Sequence, residues 1–78
     1  QEINIFPNPF TTDFKLRVLT AGKEAIQLKL LDLQGRILKQ AVIMPYDIIN
    51  LGSDLEPGSY IVELSQGSIL QTKRVIKL

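Results

Sequence analysis

The chain has 78 residues, 45% of them hydrophobic and 22% charged, a formal net charge of +1, and neither cysteine nor histidine. That length holds one domain and one core, which buries roughly 60% of the unfolded surface with no disulfide or zinc site to staple it. The near-even charge argues against a nucleic-acid partner, and the missing residues remove the commonest general base and the best nucleophile.

Residues 1–78 therefore read as a single domain, and a start at Gln1 rather than methionine reads as a fragment cut from a longer chain. No apolar run approaches the ~20 residues that span a bilayer, so direct membrane insertion is not expected. Gln1-Glu2-Ile3-Asn4-Ile5 lacks the basic and long apolar regions of a signal peptide.

In chain order, Ile3-Asn4-Ile5-Phe6 predicts a short edge strand, stopped by Pro7-Asn8-Pro9, with Phe10 placed to fold back as a plug. Asp13 to Leu19 alternates, with Phe14, Leu16 and Val18 inward and Lys15 and Arg17 outward. Ala21-Gly22-Lys23 turns the chain. Glu24 to Leu33 fits both a strand and a helical face; the absence of an N-cap and the strands on either side favour a strand. The doubled Leu30-Leu31 predicts a β-bulge there. Gln34-Gly35 closes a hairpin whose return strand runs from Arg36 to Met44.

Asp47 to Leu51 predicts a further short strand, and Leu55 a plug at one end of the core. Pro57-Gly58 then makes a turn, with Gly58 taking the positive φ of type II. Tyr60, Val62 and Leu64 alternate with Ile61 and Glu63 as a half-buried strand, and Gln66-Gly67 is expected to turn with the same αL-glycine bulge as Gly35. Ser68 to Leu78 has two registers, Ile69 and Val75 inward or Leu70 and Ile76 inward, with a bulge as a way of reconciling them. About seven short strands and no helix describe an all-β domain, a small antiparallel sandwich of Ig-like or fibronectin-like build. An odd strand count favours termini at opposite ends and leaves the last strand exposed.

The sequence points to no chemistry. Ser53, Ser59, Ser65 and Ser68 lie in or beside turns, where serine bonds locally. Asp47, Asn50, Asp54 and Glu56 supply oxygen ligands of the kind calcium takes, but without EF-hand spacing, and turn formation explains them. Asp32 and Arg36 sit across a tight turn as a local contact that fixes it. Phe6, Phe14 and Tyr60 read as core, which leaves Phe10 and Tyr46 as the aromatic candidates for a carbohydrate platform. After Glu63 no acid remains, while Lys73, Arg74 and Lys77 fall near the end. That is either edge protection or a recognised tail.

Four stretches together resemble a known family. Ile5-Phe6-Pro7-Asn8-Pro9-Phe10 is similar to a "hydrophobic-PNP" start, and Asp32-Leu33-Gln34-Gly35-Arg36-Ile37-Leu38 to a "D-x-x-G-R" hairpin. Leu55-Glu56-Pro57-Gly58-Ser59-Tyr60-Ile61-Val62 resembles an "L-x-P-G-x-Y-x-V" segment, and Lys73-Arg74-Val75-Ile76-Lys77-Leu78 a basic-hydrophobic finish. In this order they resemble the C-terminal sorting domain (type A) of type IX secretion cargo proteins of Bacteroidota. The departure is Leu78 after Lys77, where many members stop at lysine.

The resemblance implies a secretion signal, without cofactor, that carries its N-terminal cargo domain through the periplasm and across the outer membrane to the cell surface. The implied partners are the outer-membrane translocon and a sortase-like peptidase that cleaves the domain off. It also implies that Pro7, Asn8, Pro9, Asp32, Gly35, Leu55, Pro57, Gly58 and Tyr60 shape the fold. Arg36, Lys73, Arg74, Val75, Ile76, Lys77 and Leu78 are expected to meet the machinery, so deleting Val75 to Leu78 is expected to block export and leave the domain folded. The rival is a non-catalytic Ig-like accessory module, a spacer or carbohydrate binder beside an enzyme.

Overall fold

A computed structural model describes residues 2–78. Seven antiparallel strands follow in order: β1 (Glu2–Phe6), β2 (Phe14–Leu19), β3 (Ile26–Asp32), β4 (Ile37–Ile43), β5 (Ile49–Leu51), β6 (Gly58–Gln66) and β7 (Ile69–Lys77). They form a three-stranded sheet, β1-β2-β5, and a four-stranded sheet, β4-β3-β6-β7, which enclose one core as a β-sandwich.

Period-2 alternation builds the interior. Phe14, Leu16 and Val18 of β2 face Ile26, Leu28 and Leu30 of β3 and Tyr60, Val62 and Leu64 of β6, all buried. The stretch that fitted both helix and strand is a strand because its three inward aliphatics complete this layer. The register shifts between Leu30 and Leu31, where the doubled leucine predicted a bulge.

β7 pairs with β6 without interruption, from Gly58–Lys77 to Gln66–Ile69. Val75 is thereby opposite Tyr60 and fully buried, while Leu70 and Ile76 face out. One register holds, with no bulge to reconcile two. Glu2 pairs with Leu19 at one end of the sandwich and Lys77 with Gly58 at the other, so the described ends of the chain lie at opposite poles.

Four expectations change. Phe6, read as core, is 46% exposed: it sits opposite Lys15 on β1, out of phase with the inward Ile3 and Ile5. Phe10, a candidate sugar platform, is 1% exposed and is the plug instead. The two hairpin turns also differ. At Gly35 (φ 89°), Gly35 N–H donates to Asp32 O and Asp32 N–H to Arg36 O, the expected type I turn with a glycine bulge. Gln66 pairs directly with Ile69, which leaves a two-residue loop with positive φ only at Gly67, the pattern of a type II′ turn. Gly58 takes the expected positive φ, a conformation that favours glycine, but at 153° where β6 opens rather than at the ~80° of a type II turn.

Candidate functional site

The four sequence motifs, spread from residue 5 to residue 78, converge on one pole of the sandwich. β3 delivers the Asp32–Arg36 turn beside Tyr60, β6 delivers Gly58, and Gly58 is paired with Lys77 of the last strand.

Pro7-Asn8-Pro9-Phe10 closes this pole. Neither proline has an N–H to donate, so the Asn8 side chain does the work of a backbone. Its Nδ2 donates to Arg74 O at 3.0 Å, and its Oδ1 accepts from Ile76 N–H at 3.1 Å. Phe10 N–H then donates to Ile76 O, and Leu78 N–H to Phe10 O, both at 2.9 Å, forming a parallel bridge with Lys77. The segment acts as a short eighth strand along the outer edge of β7. The expectation that the last strand is left open is thus corrected: β7 lies at the sheet edge, but Asn8 and Phe10 cover that edge from Arg74 to Leu78. Alternation leaves the outward backbone groups of Leu70 and Thr72 uncovered.

The Phe10 ring meets Phe14 edge-on, with centroids 4.9 Å apart. Lys77 Nζ lies 5.8 Å from the Phe10 centroid. The same ammonium donates to Leu55 O at 2.8 Å and Gly52 O at 2.9 Å, with Ser53 O at 3.5 Å, so it gathers the carbonyls of the loop before β6. Tyr60 Oη donates to Glu56 O and pins the Pro57 turn, and Leu55 packs partly buried against the core.

Asp32 holds the neighbouring hairpin. Its Oδ1 accepts from the backbone N–H of Arg36 at 2.9 Å and of Gln34 at 3.0 Å; its Oδ2 takes the Arg36 Nε at 2.6 Å. Partial desolvation pushes the carboxyl up. The Arg36 backbone N–H, the Arg36 guanidinium and its charge, and the Gln34 N–H outweigh it and hold the carboxyl below its ordinary value. Between this hairpin and the loop before β6 runs an open cleft of roughly 390 Å³, lined among others by Arg36, Leu38, Asp54, Glu56 and Tyr60.

The residues expected to meet a partner divide in two. Arg36, Lys73, Arg74 and Leu78 are exposed, and Ile76 is on the outer face of the sheet. Val75 and Lys77 need correction. Both share the inward phase of β7, so Val75 fills the core and is closed to a partner, while Lys77 is half-buried and its ammonium is engaged with loop carbonyls. Deleting Val75 to Leu78 would therefore remove a core residue and the closure at this pole, contrary to the expectation of a folded truncation. Asn8 and Gly52 are the structural residues that sequence reasoning undervalued. The signal for Asn8 was there, in an amide flanked by two residues that cannot donate.

The acidic cluster considered for calcium does not assemble. Asp47 Oδ2 accepts from Met44 N–H, away from Asp54 and Glu56, and no group of three or more potential acidic ligands exists among the described residues. The sequence holds no histidine and no cysteine.

A comparison with curated proteins returns no match. The family described as the secretion system C-terminal sorting domain matches residues 4–78, nearly the whole chain, and includes all four motifs. The chain belongs to this family, the sorting signals of type IX secretion cargo.

Proposed function

We propose that residues 1–78 act as a sorting module, carried behind an N-terminal cargo domain and read at the motif pole by the outer-membrane translocon of the type IX system. Membership of the family implies partners within that system and a place on the secretion route. The finer reading is passage through the periplasm as a folded domain, engagement by the translocon, and cleavage by a sortase-like peptidase at the cell surface. Arg36, Lys73, Arg74, Ile76 and Leu78 supply the contacts. The open backbone edge at Leu70 and Thr72 supplies a route for strand addition.

One observation carries this reading. Motifs far apart in sequence meet at one pole, and most of their side chains are spent on holding that pole together. Arg74 and Leu78 are left exposed on a backbone that Asn8 and Phe10 clamp. A recognised surface needs such preorganisation, because ordering a loose tail at the moment of binding costs affinity.

The test fuses residues 1–78 to the C-terminus of a fluorescent periplasmic reporter. The fusion is expressed in a Bacteroidota strain with the system and in a mutant without the translocon, with an established sorting domain as control. Reporter outside the cell in the intact strain only, freed of the domain, is the expected result. If the control is exported and this fusion stays in the periplasm of both strains, the domain is an accessory module and the proposal falls.

A further inference from the structure

A second cleft opens at the pole opposite the motifs, where the chain leaves β2 and β4. It has a volume of roughly 410 Å³, with residues 20–23 as one wall and Met44, Pro45 and Tyr46 as the other. Tyr46, the remaining candidate for a sugar platform, is 60% exposed.

Tyr46 occupies a position that ordinarily belongs to glycine. Asp47 N–H donates to Met44 O at 3.1 Å, which closes a four-residue turn with Pro45 and Tyr46 at its centre. With proline second and φ 71° at Tyr46, the turn is of type II, whose third residue is usually glycine or asparagine. A bulky side chain in the left-handed region is strained. Burial does not offset that strain, since most of Tyr46 is in water. Strain of this kind gathers at binding sites.

Both walls are held in place. Tyr46 N–H donates to Val18 O at 3.0 Å, and Asp47 Oδ2 accepts from Met44 N–H at 3.1 Å, so the turn is tied to β2 and to itself. The other wall is tied to the buried Gln66 amide. Its Oε1 accepts from Thr20 Oγ1 at 3.2 Å, and its Nε2 donates to Glu24 O at 2.9 Å. Thr20 Oγ1 accepts in turn from Gly22 N–H at 3.2 Å. Walls fixed before binding spare the affinity that ordering them would cost.

The difference between the walls identifies the ligand. Tyr46 and Met44 present an aromatic ring and a thioether. Residues 20–23 present a hydroxyl, the backbone around Ala21 and Gly22, and the Lys23 ammonium, which has no ion pair among the described residues. A pyranose ring has the matching character, with C–H groups on one face and hydroxyls around its rim. An apolar peptide would match the Tyr46 wall alone. Proline-rich peptides dock in aromatic-lined grooves, whereas this cleft has a single ring.

We propose that the cleft between Tyr46 and residues 20–23 is a carbohydrate site. It takes one pyranose unit of a glycan, stacked on the Tyr46 ring with its hydroxyls toward residues 20–23, and Lys23 favours an acidic sugar. The site lies at the other pole from the four motifs and does not depend on the sorting role.

The experiment titrates the isotopically labelled 78-residue chain with cellotetraose and with tetragalacturonate and follows the backbone amides by NMR. Saturable shifts at Gly22, Lys23 and Tyr46 are expected with both, about threefold tighter for tetragalacturonate. Lys23→Gln is expected to abolish that preference and to keep cellotetraose binding. Tyr46→Trp is expected to bind both sugars, and Tyr46→Gly to weaken both about tenfold or more. Tyr46→Gly is also expected to melt higher than the parent, because glycine takes this φ without strain, so its lost binding does not report a lost fold. No saturable shift with either sugar overturns the proposal, as does binding that survives Tyr46→Gly. Decaproline that shifts these amides where the sugars do not would assign the cleft to a peptide and overturn it too.

Discussion

Gly52 carries a constraint that no side chain advertises. Its φ is 96°, and a Cβ built there would stand 2.7 Å from one Phe10 ring carbon and 2.9 Å from another. Gly52→Ala combines left-handed strain with overpacking against the plug, an expected loss of about 2–4 kcal/mol in urea denaturation. Gly35 provides the contrast: φ is 89° but a Cβ would meet nothing within 4 Å, so Gly35→Ala should cost only the strain, about 1–2 kcal/mol. Equal losses for the two would refute the close approach at Gly52. Asp32 makes a pH prediction. Its folded-state pKa lies below the ordinary value of 3.8, so its contribution is fully present above that value and fades as pH falls through the lower, folded one. The stability gap between wild type and Asp32→Asn should be constant near neutrality and shrink below about pH 4. A gap that is flat down to pH 2 would mean that the Asp32 charge contributes nothing to the hairpin.

Among the elements, the strap from Pro7 to Phe10 depends most on a single side chain. Asn8→Ala removes both amide bonds to β7. At about 0.5–1.5 kcal/mol for each of the two exposed bonds, the expected loss is about 1–3 kcal/mol. Exchange of the Ile76 amide hydrogen should speed up by a similar free energy, while amides in the middle of β6 follow only the global loss. The strands were legible wherever one face is polar: Lys15 and Arg17 against Phe14, Leu16 and Val18 leave no doubt about β2. β7 was not, because its outward residues Leu70 and Ile76 are as aliphatic as its inward Val75, and pairing with β6 decides between them. The Gly67 turn was misread for the same reason, since loop length follows from register. Of the strap, the stiffness, the Phe10 plug and the bonding capacity of the Asn8 amide were legible, but not what Asn8 bonds to, because its partners lie more than sixty residues further on.

For the whole molecule, fold class and function were legible through the order of four motifs, although each alone is ordinary turn chemistry. Their meeting at one pole was not, because convergence is a property of the sandwich and of no segment. That convergence changes what a truncation means. Removing residues 75–78 takes Val75 from the core, Lys77 from three loop carbonyls and Ile76 from Asn8. The expected result is loss of the cooperative thermal transition, so an export defect in that truncation reports on folding. Removing Leu78 alone gives up one backbone bond to Phe10 and an exposed side chain. That domain should melt cooperatively, and its export reports on recognition. A cooperative melt from the four-residue deletion would show that the closure at this pole is dispensable.

The pairing of Asn8 with Arg74 and Ile76 joins positions 66 and 68 residues apart, close to the full span of the chain. Contacts of such separation close late, since the ordering entropy of everything between them comes first. Synthesis begins at the other end, so Asn8 emerges long before the backbone groups it holds. A nascent or interrupted chain that stops short of Ile76 never acquires this clasp. The clasped shape therefore forms only after translation has reached the last strand, and under the sorting role proposed above a translocon that reads this pole would pass over chains that stop short of Ile76.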